Sequence, residues 1–221
     1  MLGFLIWNET TLSGAIKNTD MDIDDMKKET RYWQRLLRFG GYYTGQIDGI
    51  RGKLQMAAEA QWDAEQKAVR EKFGVLDDRS EGNLATILPK AQEALRGWLS
   101  RAIPQAREMG YTLKVICGTR SYDEQNELYA QGRTKPGSRV TNARGGYSNH
   151  NFGIAIDIGL FDAETGAYMT KDAAYDKLAE LVPPPESVEW GGSWRSLHDA
   201  PHYQFRVLDG STAALRNKFN A

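Results

Sequence analysis

The chain has 221 residues, enough for one large domain or for a large and a small one. Its formal net charge of −1 argues against nonspecific nucleic-acid binding, and its 41% hydrophobic content is that of an ordinary soluble globular protein. The single cysteine, Cys117, excludes an internal disulfide framework and a cysteine-based zinc cluster.

Residues 1–21 are an N-terminal segment with little structural information. Met1 to Trp7 is apolar but short, it lacks a basic region, and Asn8 and Glu9 follow at once. We therefore expect neither a secretory signal peptide nor a membrane span. A protein of this kind that acts outside the cytoplasm needs another route of release.

Two helices separated by a glycine-rich loop are expected within residues 22–73. Apolar residues recur at roughly helical spacing over residues 26–39 and again over residues 54–73. Gly40–Gly41 ends the first of these helices, and the Asp48–Gly49 pair predicts a turn in the loop.

This arrangement resembles the peptidoglycan-binding domain found beside many cell-wall hydrolases. The resemblance rests on Trp33–Leu37 and on Gly41–Gly49, whereas Lys53 stands near a position where the family more often has threonine. It implies a small three-helix bundle over residues 22–73, with Tyr43 as a candidate substrate contact. A plain helical hairpin is the alternative.

Residues 74–83 are polar and flanked by glycines, and they predict a linker to a second domain, residues 84–221. A long helix should begin near Pro89, which suits a first turn, and Pro104 should kink or end it. A short strand follows and ends at Cys117, which we expect to be a small buried apolar residue because no basic neighbour lowers its pKa.

The segment after Cys117 should close the strand and open a helix. Ser121 and Glu124 form a capping-box pattern, which accounts for Ser121 without catalysis. Arg120 lies at the strand end, where a side chain can reach into a cleft. The long loop from residue 133 to residue 146 suggests a functional loop.

His150 and Asp157 are the first pair of candidate metal ligands. Their separation is about 23 Å in a straight strand and about 10 Å in a helix, too far for one ion. The chain must therefore bend between them, and Gly153 permits the bend. Beyond it, alternation places the isoleucines on a core face and Asp157 on the opposite face.

A second block supplies His202 and Asp199. Two histidines and an aspartate leave one position open on a four-coordinate zinc ion, which is typical of a catalytic site. Asp199 is the candidate general base, with Glu189 as a rival, and Arg120 is the candidate cation for developing oxyanion charge. The His-Glu-x-x-His signature of common zinc proteases is absent.

Taken together, these motifs resemble the LAS zinc peptidases over about residues 84–206. The resemblance is carried by Ser148-x-His150-x-x-Gly153-x-Ala155-x-Asp157, by Asp199-x-Pro201-His202 and by Gly118–Ser121. It implies an α+β fold, a small antiparallel sheet with flanking helices that carries a Zn²⁺ site.

The resemblance also implies roles for individual residues. His150, Asp157 and His202 would bind zinc, Asp199 would be the base, and Arg120 would assist the transition state. We further expect Ser148 and Trp190 to contact the substrate. His198 matches no family position and is expected to face solvent.

Val140–Gly146 and Trp190–Trp194 look most like the endopeptidase branch of the family, notably phage endolysins. The expected activity is cleavage of the L-Ala–D-Glu bond of peptidoglycan by a monomer with no nucleic-acid or membrane partner. An endolysin would stay in the host cytoplasm until released to the cell wall in the periplasm. The alternatives are a D-alanyl-D-alanine carboxypeptidase, a bacterial autolysin of the same chemistry, and a wall-binding protein without activity.

Overall fold

The computed structural model describes residues 23–195, 197–207 and 210–221, so the apolar start and the rest of residues 1–22 lie outside the described part. Seven α-helices, four strands and two 3₁₀ turns are described. In chain order they are α1 Ile23–Phe39, α2 Lys53–Phe73, α3 Asp78–Leu84, α4 Pro89–Glu108, β1 Tyr111–Cys117, α5 Tyr122–Ala130, the turn Asn149–Phe152, β2 Ala155–Asp162, α6 Asp172–Leu181, β3 Val188–Trp190, the turn Gly191–Ser193, β4 His202–Phe205 and α7 Thr212–Asn220.

The strands form one antiparallel sheet in the order β1-β2-β4-β3. The α+β fold with a small antiparallel sheet is therefore confirmed. Strand β2 lies inside the sheet, and its Asp157 is opposite Cys117 on one side and His202 on the other. The register thus brings residues that are 40 to 45 positions apart in sequence to one place.

Helix α4 covers one face of the sheet and forms the main hydrophobic core. Trp98 is fully buried, and its ring stacks on Tyr203 with centroids 3.8 Å apart. Ile156 and Ile158 of β2 are buried in the same cluster. The predicted alternation in β2 is confirmed, because the isoleucines face the core and Asp157 faces the other side.

Pro104 does not end its helix, because α4 continues to Glu108. That part of the expectation is wrong. A proline in a helix leaves the carbonyl four residues earlier without its donor. Here that carbonyl belongs to Ser100, which is exposed, so that water can replace the missing hydrogen bond.

The predicted linker is also corrected, because helix α3 occupies most of residues 74–83. Two of its polar residues, Ser80 and Glu81, are buried and paired inside the protein, whereas Asp78 and Arg79 are exposed. Buried Glu81 pairs with buried Arg96 at 2.6 Å, and the Ser80 hydroxyl accepts a hydrogen bond from the Val115 N–H. From the local sequence alone, the buried polar residues Ser80 and Glu81 cannot be distinguished from the exposed polar residues of a linker.

Within residues 22–73 the structure describes two helices, α1 and α2, where the resemblance implied three. Both helices pack against the remainder of the chain. Leu36 and Trp62 belong to a second hydrophobic cluster that also contains Phe152, Ile154 and Phe219. Among the described residues, none of the helices has the length and apolarity required to cross a bilayer.

Tyr32 of α1 links this second cluster to the segments around Arg120 and Asn151. Its buried hydroxyl lies 3.0 Å from the Arg120 carbonyl oxygen and 2.8 Å from the Asn151 carbonyl oxygen. The Asn151 side-chain amide also donates to the Arg120 carbonyl, at 2.8 Å. Helix α1 therefore holds the backbone on both sides of the candidate site.

We predict that Tyr32→Phe lowers the free energy of unfolding by about 1–2 kcal/mol, because a buried carbonyl loses its donor. Tyr111→Phe is the control, since the Tyr111 hydroxyl has no hydrogen bond within the described ranges. Chemical denaturation measures both variants. Equal stability of the two variants would contradict a structural role for the Tyr32 hydroxyl.

Candidate metal centre

The candidate site is built where a 3₁₀ turn, strand β2 and strand β4 meet. His150 lies in the turn, which ends at Gly153 in the left-handed conformation with φ +65°. A Cβ atom at Gly153 would lie 2.9 Å from the Leu36 side chain. The predicted bend between His150 and Asp157 is therefore confirmed, and both conformation and space favour glycine there.

Three acceptor atoms converge at nearly equal distances. His150 Nε2 lies 3.1 Å from Asp157 Oδ1 and 3.2 Å from His202 Nδ1, and His202 Nδ1 lies 3.1 Å from Asp157 Oδ1. Two ligands about 2.0–2.1 Å from a tetrahedral zinc ion are about 3.3 Å apart. The triangle thus has the dimensions of three corners of such a site.

The hydrogen bonds on the far side of each ring assign the tautomers. His150 Nδ1 lies 2.7 Å from the Gly118 carbonyl oxygen, and His202 Nε2 lies 3.0 Å from Gln204 Oε1. An N–H at each of these positions is the arrangement that satisfies both acceptors, which leaves Nε2 of His150 and Nδ1 of His202 as lone pairs directed at Asp157.

Two lone pairs and a carboxylate oxygen repel one another unless a cation lies among them. Without a metal, a proton can take this role. Burial lowers the pKa of His202, but its hydrogen bonds to Asp157 and Gln204 outweigh burial and raise that pKa. Burial raises the pKa of Asp157, yet the two imidazoles hold it well below its usual range. The donor set and its spacing fit zinc, which prefers histidine and carboxylate ligands.

Cys117 also lies beside this triangle. Its sulfur is 3.8 Å from His150 Nδ1, the ring nitrogen that faces away from Asp157 Oδ1, and Cys117, His150 and Asp157 together could group around an ion. Burial, with the Asp157 charge, raises the pKa of the thiol to about 12. Cys117 was expected to be a buried apolar residue, but it is only partly buried and lies next to the site.

Arg120 and Asp199 lie at the border of the triangle. A terminal nitrogen of Arg120 is 3.8 Å from Asp157 Oδ2, and its buried Nε has no hydrogen-bond partner among the described residues. Burial raises the pKa of the Asp199 carboxyl, and the neighbouring His202 partly offsets this. A carboxylate of raised pKa is a better proton acceptor.

Ser148 and Trp190, the other two predicted substrate contacts of this domain, lie in different surroundings. Ser148 is half-buried and directly precedes the turn that carries His150, so it borders the site. Trp190 is partly buried, and its indole N–H donates to the Ala200 carbonyl at 2.8 Å, which ties β3 to the segment before β4. Its polar atom is therefore engaged within the fold.

The structure does not support the substrate contact predicted for Tyr43. Its ring is buried in the second hydrophobic cluster, and its hydroxyl donates to the Gln46 carbonyl at 2.7 Å. The glycines that resembled a binding loop surround a tyrosine that holds the loop together. Sequence reasoning could not separate these two roles of an aromatic residue.

His198 is exposed, as expected, but it is not without partners. Its Nδ1 lies 2.8 Å from the Gly192 carbonyl, and its Nε2 lies 3.0 Å from Asp176 Oδ1. The Gly192 carbonyl, assisted by Asp176, raises the pKa of His198. This histidine connects the loop after β3 to helix α6 and does not join the triangle.

Two residues near the site, Trp194 and Gln204, were not selected as site residues from the sequence. The Trp194 ring lies 5.1 Å from the His202 ring, and Gln204 contacts the far nitrogen of His202. Glu189, the rival base, accepts hydrogen bonds from Trp194 at 2.8 Å and from Gln204 at 3.0 Å. The alternation that puts His202 and Gln204 on one face of β4 was the available signal.

Parts of the chain are similar to known proteins. Residues 89–183 match a family model described as VanY, D-alanyl-D-alanine carboxypeptidase. The matched segment holds Arg120, His150 and Asp157, whereas Asp199 and His202 follow it. The chain is also 38% identical over 107 residues to the peptidoglycan L-alanyl-D-glutamate endopeptidase CwlK of Bacillus subtilis (strain 168).

That alignment covers 45% of this chain and 64% of CwlK, so the chain spans less than two thirds of this relative. Among solved structures, the L-Ala D-Glu endopeptidase ChiX of Serratia marcescens is similar with 28% sequence identity and a TM-score of 0.39. The similarity covers 59% of this chain and 89% of ChiX.

We predict that His202→Ala weakens zinc binding by more than the roughly 10–100-fold cost of losing an outer hydrogen-bond partner of a ligand. Asp199→Asn should bind zinc like the unmodified protein, because Asp199 is expected to act on water and not on the metal. Competition with a chromophoric chelator measures both variants. Parallel loss in the two variants would contradict the separation of ligand and base.

Proposed function

We propose that this chain is an LAS-type, zinc-dependent endopeptidase that cleaves the L-Ala–D-Glu bond of peptidoglycan stem peptides. The match of residues 89–183 to the VanY family model supports this assignment. The observation that carries the proposal is the convergence of His150, Asp157 and His202 within 3.1–3.2 Å of one another, beside Asp199 and Arg120. A protein that only binds the wall needs neither a base nor a cation beside a metal site.

The roles follow from position and charge. His150, Asp157 and His202 would hold a zinc ion, which when bound supplies a Lewis acid that acidifies water and polarises a carbonyl. The Asp199 carboxylate accepts a proton from the attacking water and returns it to the leaving amino group. The Arg120 guanidinium, whose Nε has no partner in the described part of the chain, donates to the oxygen on which negative charge develops.

The bond cleaved separates two candidate activities. The family model is described as a D-alanyl-D-alanine carboxypeptidase, whereas CwlK, 38% identical over the aligned residues, is an L-alanyl-D-glutamate endopeptidase. Val140–Gly146 and Trp190–Trp194 also resemble the endopeptidase branch. We therefore favour the endopeptidase and retain the carboxypeptidase as the second candidate.

The biological setting is proposed from the same resemblance. A phage endolysin would accumulate in the infected cell and reach the cell wall through a separate membrane lesion, and a bacterial autolysin is the alternative. Both would act on the same polymer with the same residues. Neither setting changes the chemistry proposed for the site.

We predict that purified peptidoglycan is cleaved in a metal-dependent manner, with loss of activity in a chelator and recovery on addition of zinc. Mass spectrometry should find new amino termini at D-Glu, and Asp199→Asn should lower the rate by about 10²–10⁴-fold. Release of D-alanine would instead indicate the carboxypeptidase. No metal-dependent product would overturn the enzymatic proposal.

Residues 22–73 are proposed to bind the cell wall, and the structure suggests which part of them is accessible. With Tyr43 buried, the exposed apolar side chains near the Asp48–Gly49 turn are Ile50 and Leu54, whose exposures are 63% and 64%. Deleting these helices is not a clean test, because they share a hydrophobic cluster with Phe152 beside the site.

We predict that the double variant Ile50→Ser/Leu54→Ser binds insoluble peptidoglycan more weakly while cleaving a soluble stem peptide at the normal rate. Val75→Ser is the control, because Val75 is 75% exposed and lies just outside the proposed binding region. Sedimentation of protein with the wall material measures binding. Unchanged binding by the double variant would remove the wall-contact role of these side chains.

A further inference from the structure

A chain of hydrogen bonds leads away from His202 on the side opposite the metal ligands. His202 Nε2 lies 3.0 Å from Gln204 Oε1, and Gln204 Nε2 donates to Glu189 Oε2 at 3.0 Å. The Trp194 indole N–H donates to Glu189 Oε1 at 2.8 Å. From the other side, Asn149 Nδ2 donates to Gln204 Oε1 at 2.6 Å.

These partners fix the orientation of the Gln204 carboxamide. In the observed orientation its oxygen receives two N–H groups, from His202 and Asn149, and its NH₂ group faces a carboxylate. Rotating the amide by half a turn would place NH₂ against two donors and the oxygen against the Glu189 carboxylate. Three contacts, with His202, Asn149 and Glu189, would become unfavourable at once, so one orientation is selected.

The selected orientation in turn selects the form of His202. A carboxamide oxygen held at Nε2 requires a proton there, which leaves the Nδ1 lone pair for the triangle with Asp157 and His150. Gln204 is buried, with 8% exposure, so that water does not readily replace this acceptor. Glu189 and Trp194 lie outside the triangle but determine its third corner through Gln204.

We propose that Gln204 is a positioning residue that holds His202 as the Nε2–H form and thereby sets the zinc affinity of the site, with Glu189 orienting Gln204. This inference rests on the proposed zinc function. Partners that orient a metal-bound histidine generally contribute 10–100-fold to metal affinity. In a direct carboxylate–histidine pair the carboxylate contacts the imidazole itself. Here the Gln204 amide lies between the His202 ring and the Glu189 carboxylate.

The first experiment compares Gln204→Met with Gln66→Met. Both glutamines are buried, but the Gln66 amide donates to the Ile87 carbonyl outside the site. Gln204→Met should weaken zinc binding about 10–100-fold in chelator competition, and the hydrogen-bonded imidazole Nε2–H proton should disappear from the NMR spectrum of the zinc-loaded protein. Gln66→Met should lower the thermal stability but leave the zinc affinity unchanged.

The second experiment exchanges the amide and the carboxylate. The single variant Gln204→Glu places a second carboxylate against that of Glu189. The single variant Glu189→Gln leaves one amide oxygen at position 189, and if the Trp194 N–H binds it, the two NH₂ groups of residues 189 and 204 face each other. In the double variant Glu189→Gln/Gln204→Glu, the amide oxygen at position 189 accepts from Trp194 and the amide NH₂ donates to the carboxylate at position 204. That carboxylate also accepts from His202 and Asn149. Each single variant should therefore bind zinc more weakly, and the double variant should recover most of the affinity and the Nε2–H signal.

The outcomes separate this inference from the proposed function. If the unmodified protein binds no zinc, the zinc function fails. If the unmodified protein binds zinc and Gln204→Met binds it within twofold of the same affinity, the positioning role fails and the zinc function stands. Equal loss of affinity in Gln66→Met, or additive losses in the exchanged double variant, would also overturn the positioning role.

Discussion

The fold must hold two imidazole lone pairs and a carboxylate oxygen against their mutual repulsion, and this requirement organises the site. Each atom is fixed by a different device: the turn that ends at Gly153, the interior position of β2, and the pairing of β4 with β2. Because these devices belong to the backbone, the fold itself sets the positions of the three acceptors. Such preorganisation favours metal binding, since little rearrangement is needed.

Electrostatic support comes from residues that touch the ligands from outside. The Gly118 carbonyl and the Gln204 amide each accept from the far nitrogen of an imidazole, and both rings are buried. Arg120 lies near the outer oxygen of Asp157, where its positive charge favours the ionised carboxylate. One carboxylate and one arginine therefore lie beside the two imidazoles, and Asp199 borders the same site.

Local patterns predicted the parts of this arrangement that depend on local geometry. The spacing of His150 and Asp157 required a bend, and alternation in β2 assigned Asp157 to the face opposite the isoleucines. The patterns failed where a residue's partner is distant in sequence. Glu81 and Ser80 looked like linker residues because their partners Arg96 and Val115 are distant in sequence. Tyr43 looked like a substrate contact because its cluster is assembled from separate segments.

The Tyr32 hydroxyl, shared between the Arg120 and Asn151 carbonyls, makes helix α1 part of the structural support of the proposed active site. Enzymes of modular appearance invite recombination, in which one wall-recognition unit is exchanged for another to redirect the target. In this chain, replacing the amino-terminal helices would disrupt the second hydrophobic cluster. It would also remove the Tyr32 hydrogen bond to the backbone of Arg120. Retargeting is therefore better attempted on the outward surface of α1 and α2, with their inward side chains retained.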